Sequence, residues 1–422
     1  MNNNSVDIII IGAGAAGLMA AYTAAKYSCS KIILLEKNNQ IGKKLLITGK
    51  GRCNLTNNCS IDEFLNHVCT NRKFLMSAIN SFSPQKTMAF FEELGLALKT
   101  ERGKRVFPVS DSARDVVQTL KNAIKKENIS LRLNSNVVSL QCNTSNTFSV
   151  KLETGEKFCC TKLIIATGGK SYPQTGSTGS GFTFAKKLGH KLVAPHPSLV
   201  PIVMQEPWCG ELQGLSLRNV RLTLYKNQIK KPLFSEIGEL LFTHFGLSGP
   251  LVLSASAFIG NNSPAEYKII IDLKPRLEHK QLDSRIVRDL AGNNKDLCNA
   301  LKKLLPLRLV PIIIHLAQID PRKKANQITS LERVELTEVI KNLTFSPQCL
   351  RGFNEAIITA GGINTSEVNP KTMESKLIAS LYFAGELLDL DALTGGFNLQ
   401  IAFSTGYAAG MHCAQQYKNL TV

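Results

Sequence analysis

The sequence predicts an α/β fold in which segments from both ends of the chain build one domain, with a mainly β stretch and helices inserted between them. Three observations predict it. First, an apolar run, Val6-Asp7-Ile8-Ile9-Ile10-Ile11, leads straight into Gly12-Ala13-Gly14-Ala15-Ala16-Gly17 and an Ala- and Leu-rich stretch over 18–26. Second, apolar runs ending in glycine recur at 163–169, 356–362 and 381–385. Third, residues 191–350 differ in character: prolines punctuate their start, short alternating segments follow, and a helical pattern without glycine motifs closes them.

The opening segment reads as strand, glycine turn, helix and second strand, Lys31-Ile32-Ile33-Leu34-Leu35, ending in Glu36. Gly12 permits the tight turn, Gly14 lets the backbone approach a pyrophosphate, and Gly17 lets the helix pack on the strand. The amides and dipole at the helix start favour phosphate charge. Glu36 stands nineteen residues after Gly17, where a carboxylate accepts hydrogen bonds from ribose hydroxyls and repels a 2′-phosphate. This is a dinucleotide-binding, Rossmann-like pattern, and by itself it does not separate NAD from FAD.

A long polar loop follows, from Lys37 through Lys43 and Lys44 to Thr48-Gly49-Lys50-Gly51-Arg52-Cys53-Asn54-Leu55-Thr56-Asn57. Loops of this length in compact domains are usually functional, and this one reads as a second wrap around the cofactor. Lys43, Lys44 and Arg52 would neutralise phosphate, and Thr48, Asn54 and backbone amides would address a flavin ring. Residues 61–98 read as helices, with Ser83-Pro84 as cap and first position and Gly95 as stop. Arg102 to Pro108 reads as a basic turn, and Ser110-Asp111-Ser112 opens another helix.

Residues 131–165 read as strands. Val137-Val138 would meet an adenine edge, and the turn Ala166-Thr167-Gly168-Gly169 would pass over the bound dinucleotide. The run Gly176-Ser177-Thr178-Gly179-Ser180-Gly181 reads as a helix start beside the same cofactor, since no buried strand feeds it. These segments form a first domain part, 1–190. Residues 191–350 read as an inserted substrate domain, a small β unit plus helices. Residues 351–422 return to the first domain. There Leu381-Tyr382-Phe383-Ala384-Gly385-Glu386 is a strand ending in Gly-Glu, and Thr394-Gly395-Gly396-Phe397 opens a long helix over 401–417. Its dipole would face the flavin N1–C2 carbonyl.

Composition bounds the class. The chain has 422 residues, 44% hydrophobic and 19% charged, which suits a globular protein of two or three domains. No basic segment precedes the first apolar run, so a signal peptide is not expected and a cytoplasmic location is. The longest apolar stretch, around 309–319, is too short for a membrane span. Eleven cysteines contain no CxxC pair, so reduced thiols are expected rather than a disulfide framework or zinc ribbon. The seven histidines lack metal-ligand spacing, and no metal site is expected. The net charge of +18 raises affinity for nucleic acid or anionic lipid. The lysines are dispersed, however, and no basic run is interleaved with aromatics, so a solvated surface is the expectation and nucleic acid the weaker one.

The ordered set Gly12–Gly17, Thr48 to Asn57, Ala166-Thr167-Gly168-Gly169-Lys170-Ser171-Tyr172-Pro173, the run from Gly238 through His244 to Gly249-Pro250, and Ala384-Gly385-Glu386 through Phe397-Asn398 resembles the BaiN-type, aminoacetone-oxidase-like flavoproteins of bacteria. The resemblance covers nearly the whole chain. It implies FAD, a discontinuous Rossmann-like FAD-binding domain, and an inserted β-barrel-like domain with a helical subdomain. It places FAD contacts at Gly12, Gly14, Ala15, Gly17 and Glu36, then at Lys43, Arg52, Asn54, Val137 and Thr167. Gly385, Glu386, Asp389, Asn398, Leu399 and Gln400 would approach the ribityl chain and flavin. Lys37, Thr48, Gly51, Cys53, Ala166 and Gly168 complete the expected cofactor site. Lys50 stands where the family carries glycine, and Leu399 and Ile401 replace bulkier aromatics.

The implied activity is an FAD-dependent oxidoreductase moving hydride between flavin N5 and a small organic substrate, with NAD(P)H as electron donor. No second strand-coupled glycine motif is present, so a nicotinamide would bind transiently. The alternatives are an amine oxidase using oxygen and a basic RNA-associated flavoprotein. No catalytic acid or base is assigned; Cys53 and His244 sit in motifs that would face the flavin.

Overall fold

The computed structural model describes residues 5–127, 129–143, 147–291 and 295–415. They form two units. One gathers the described residues of Met1–Ser198 and Phe353–Val422; the other is Leu199–Gly352.

The first unit is built on a seven-stranded sheet. Strand Ser5–Ile11 lies between Ile32–Leu35 and Lys157–Ile165, parallel to both, and Ser130–Arg132 extends the sheet beyond Ile32–Leu35. Ile8, Ile9 and Ile10 are fully buried, as a continuous apolar run in a parallel sheet with both faces covered requires. On the edge away from Ser5–Ile11, strand Lys157–Ile165 serves two neighbours. Its first half pairs antiparallel with Phe148–Leu152, and its second half pairs parallel with Leu381–Phe383 through Leu163, Ile164 and Ile165. That second pairing returns the C-terminal part of the chain to the sheet.

Helix Ala15–Tyr27 packs on helix Phe397–Gln415 with almost no side chain between them. A Cβ on Gly406 would stand 2.3 Å from the Ala16 carbonyl oxygen, and one on Gly410 would stand 2.4 Å from that of Ala20. The sequence reading carried this last helix to Tyr417, which lies outside the described residues. The 61–98 stretch resolves into Ile61–Asn66, Arg72–Ser81 and Pro84–Glu93, and the Ser83 side chain accepts from the Lys86 amide at 3.3 Å.

Two expectations change. Strand Leu192–Ser198, read as the start of the insertion, pairs antiparallel with Ile358–Ile363 and belongs to the first unit. These two strands form a separate two-stranded sheet, so the 356–362 run does not join the parallel one. The basic turn at 102–108 instead contains strand Arg105–Pro108, paired with Thr56–Asn57 and Leu98–Glu101.

The second unit is a seven-stranded antiparallel sheet with helices His279–Leu290, Leu297–Leu301, Val310–Leu316 and Ser330–Lys341. The strands at the two ends of its order, Leu343–Phe345 and Pro347–Leu350, are consecutive in the chain and separated only by Ser346. The sheet therefore curls back on itself, as a barrel-like insertion does. No described helix is long and apolar enough to cross a membrane.

Candidate functional site

The first unit contains a cavity of about 1200 Å³, counting the part open to solvent. Three separated stretches of chain wall it: residues 11–48, 135–184 and 357–402. Gly12, Gly14 and Ala15 form one rim. The Gly12 amide donates to Leu35 O at 2.8 Å, which holds the turn against the second strand. Gly17 lies behind the rim, and a Cβ there would fall 1.8 Å from the Gly12 carbonyl oxygen. Gly14 is different, because a Cβ at that position would meet nothing within 4 Å. Packing within the protein does not demand glycine at 14; the open space beside it is where a ligand's backbone-close group fits. The head of helix Ala15–Tyr27 supplies unpaired amides to that space.

Glu36 lines the cavity and is buried. One carboxylate oxygen accepts from the Ala13 amide at 2.8 Å, and the other accepts from the Asn38 backbone at 2.9 Å and side-chain amide at 2.7 Å. A carboxylate has about four acceptor positions, so capacity remains for ribose hydroxyls. Lys37 and Lys43 also line the cavity. Lys37 donates to Thr178 Oγ1 at 2.9 Å, and burial pulls its ammonium below the usual lysine range. Lys43 donates to Asn38 Oδ1 at 3.2 Å.

Val137, Ala166, Thr167 and Gly168 form the facing wall, together with Gly176, Ser177 and Ser180 at the start of helix Ser180–Lys187. Thr167 Oγ1 is buried without a hydrogen-bond partner among the described residues and packs against Gly181, where a Cβ would stand 2.1 Å from it. At the far end stand Thr48, Gly385, Glu386, Asn398 and Leu399. Glu386 is paired with Lys44; it also accepts from Ser171 Oγ at 2.5 Å and the Thr359 amide at 2.9 Å. Asn398 clamps the turn before its helix, accepting from the Ala392 amide at 2.9 Å and donating to the Ala392 carbonyl at 2.7 Å.

Other expected residues lie outside this lining. Arg52 stacks over Phe107 at 4.1 Å and is held by Glu101 and Asp111, so its charge is already matched. Gly51 ends the short 3-10 segment Thr48–Gly51 that precedes Arg52. Cys53 is fully buried, and that burial pushes its thiol up to about 12. Asn54 is half-buried, with Oδ1 unpartnered among the described residues. Asp389 accepts from Asn71 Nδ2 at 2.8 Å, and burial raises its carboxyl. Gln400 is fully buried: it accepts from Thr56 Oγ1 at 2.6 Å and donates to Phe82 O at 2.9 Å and Ser404 Oγ at 3.0 Å. Its side chain pins the last helix to the body of the unit. Sequence reasoning missed Asn38, Ser135, Phe184, Ile357 and Ile358 as wall residues; Asn38, next to the acid of a dinucleotide motif, was the one with a local signal.

The HI0933-like protein Rossmann domain family matches residues 6–412. The chain belongs to the HI0933-like family. Membership carries the fold and class that the resemblance implied, a Rossmann-like FAD-binding domain in an FAD-dependent oxidoreductase. Relatives of this family member include the 3-dehydro-bile acid delta(4,6)-reductase of Clostridium scindens, 32% identical over 416 residues, 96% of this chain and 98% of the relative. The ribosomal RNA dihydrouridine synthase of Escherichia coli is 32% identical over 409 residues, 97% of each chain. That of Haemophilus influenzae is 31% identical over 413 residues, 97% of this chain and 98% of its own. Among solved structures, a 3-ketosteroid delta1-dehydrogenase from Sterolibacterium denitrificans superposes with a TM-score of 0.53 at 13% identity, covering 98% of this chain and 100% of its own. At that identity the likeness is one of fold.

The donor set of the HI0933-like cavity fits FAD. It offers an open glycine at 14, a helix start for the pyrophosphate and the Glu36 carboxylate for ribose, in one continuous space.

Proposed function

We propose that this chain is an NAD(P)H-linked FAD reductase acting on a carbon–carbon double bond conjugated to a carbonyl, with uridine in ribosomal RNA as its substrate. The cavity carries the cofactor half of this reading, because Gly14, Glu36, Thr167 and Glu386 border one space. The substrate half rests on chemistry common to the relatives' names. A bile acid delta(4,6)-reductase and a dihydrouridine synthase both saturate a double bond next to a carbonyl. The net charge of +18 favours the polyanionic RNA over the steroid acid. The bile acid reductase supports a second reading, a small enone, with the same chemistry.

When bound, FAD supplies a two-electron hydride donor and acceptor at N5. In this reading the glycine turn and helix Ala15–Tyr27 orient the pyrophosphate, and Lys37 and Lys43 offset its charge. Glu36 holds the adenosine ribose. The Lys44–Glu386 pair, braced by Ser171 and Thr359, presents a carboxylate to the ribityl hydroxyls while keeping its own charge matched. The N-terminus of helix Phe397–Gln415, where Asn398 and Leu399 line the cavity, would place partial positive charge beside the flavin. No side chain is assigned as proton donor to the substrate.

The test is anaerobic. Flavin bleaching by NADPH and NADH is followed by stopped flow, with an amine donor as the oxidase control. The reduced protein is then incubated with unmodified ribosomal RNA, and its nucleosides are analysed by mass spectrometry. Bleaching by a nicotinamide and a uridine two mass units heavier are expected. Bleaching by the amine alone would move the reading to an oxidase; a bleached flavin that saturates an enone but never uridine would move it to the small-molecule reductase.

A further inference from the structure

The outer face of the sheet in the Leu199–Gly352 unit carries a set of side chains that the cofactor site does not use. Along strand Ser216–Lys226, Val220, Leu222 and Leu224 point into the core, so Arg221, Thr223 and Tyr225 point outward. On the neighbouring strand Tyr267–Asp272, Lys268 is opposite Tyr225, Ile270 is opposite Thr223, and Asp272 is opposite Arg221. On the other side Ile237, which is 49% exposed, is opposite Arg221. An open depression of about 1210 Å³ lies against this face, lined by Arg221, Tyr225, Ile270, Lys280 and Asn342 among others.

The charge of this depression is positive once its acids are accounted for. Asp272 accepts from Lys341 Nζ at 2.6 Å and from the Lys274 amide at 2.9 Å. Glu278 caps helix His279–Leu290 through the Gln281 amide. Both carboxylates are thus committed to donors of the protein. Arg221 and Lys280 in its lining, and Lys268 on the same sheet face just outside it, are exposed and make no ion pair with a carboxylate among the described residues. The Tyr225 ring, half-buried, has no aromatic partner among the described residues. Unpaired cations around a free aromatic on a curled antiparallel sheet are the recognition chemistry of single-stranded nucleic acid: phosphates meet the cations and a base stacks on the ring. A small neutral substrate would have no use for Arg221, Lys268 and Lys280 together.

We propose that this face is an RNA-docking surface, with Arg221, Lys268 and Lys280 engaging phosphates and Tyr225 stacking on an unpaired base. The proposal rests on the RNA reading above and adds where the RNA is held. The test uses the full-length flavoprotein and a fluorescent single-stranded ribosomal RNA fragment, with anisotropy measured across a salt series. R221E/K268E is compared with K121E/K125E, which makes the same change in net charge on the exposed face of helix Ala113–Lys126 in the other unit. The expected result for R221E/K268E is a loss of affinity of about tenfold or more and a salt slope lower by about 1.5. K121E/K125E should change affinity by less than about threefold, as a charge outside the contact does. Tyr225→Ala should weaken binding about fivefold or more with the salt slope unchanged. Flavin content and NADPH bleaching should be the same in all four proteins, which shows that they are folded. Equal losses in the two charge variants, or none in either, would overturn the docking surface while leaving the RNA reading in place. A wild-type protein that binds no ribosomal RNA fragment even at low salt would overturn both.

Discussion

At the scale of single residues, Glu36 and Cys53 show what a local motif does and does not reveal. Glu36 was legible because a strand of fixed length after a glycine turn leaves its last side chain at the cavity rim. Glu36→Gln keeps an acceptor for the Ala13 amide but loses the charge that strengthens hydrogen bonds to ribose hydroxyls. We expect an unchanged melting temperature for the apoprotein and FAD affinity lower by about tenfold or more, read by flavin fluorescence titration. Cys53 lies in a motif expected to face the flavin, yet it is fully buried with its thiol pushed up to about 12. At pH 8 it is therefore a thiol and inert. Labelling of the native protein with a thiol reagent, mapped by mass spectrometry, should mark the exposed Cys29, Cys142, Cys159 and Cys349 and leave Cys53 unlabelled until guanidinium is added. Rapid native labelling of Cys53 would contradict its burial. Arg52 was illegible for a different reason. Its partners Glu101 and Asp111 are distant in sequence, and only pairing of strand Arg105–Pro108 with both Thr56–Asn57 and Leu98–Glu101 gathers them.

Among elements, the contact between helices Ala15–Tyr27 and Phe397–Gln415 decides whether two distant stretches share one cavity. Gly406 and Gly410 let the backbones touch at Ala16 and Ala20. Gly406→Ala would drive a methyl into the Ala16 carbonyl and force the helices apart, costing about 1–3 kcal/mol. Because the Ala15–Tyr27 helix start and Asn398 both border the cavity, the same change should reduce flavin retained on purification. Thermal unfolding and the flavin-to-protein absorbance ratio measure the two effects. Gln400 belongs at this scale too. The family resemblance placed Gln400 among the cofactor contacts beside Asn398, but two residues along a helix turn the side chain by about 200°, which carries Gln400 to Thr56 and Phe82 instead. Gln400→Leu should lower stability by about 1–3 kcal/mol by leaving buried polar partners unpaired, with FAD affinity little changed.

For the molecule as a whole, the chain leaves the first unit at Ser198 and returns at Phe353. The intervening sheet pairs only within itself, and its end strands are consecutive in the chain. Residues 199–352 produced alone should therefore unfold cooperatively in denaturant; a broad, non-cooperative transition would count against an independent core. Truncation after Gly352 should abolish flavin retention, because strand Leu381–Phe383 and the Phe397–Gln415 helix complete the first unit's sheet and cavity. A yellow truncated protein would contradict that account.

The amino-acid order alone specifies the local devices. Apolar runs make parallel strands, glycines with positive φ or no room for a Cβ make the turn, and an acid at a fixed chain distance lines the cavity; each depends on neighbours within a few tens of residues. Long-range folding selects which charged and polar groups are free to meet a ligand. Arg52, Asp389 and Gln400 carry suitable groups, but their partners arrive from strands and helices far along the chain. Lys44 and Glu386, 342 residues apart, meet at the cavity wall. A side chain's chemistry is written in the sequence. Whether that chemistry is already satisfied depends on long-range packing, because burial and pairing are properties of the folded surroundings rather than of the residue.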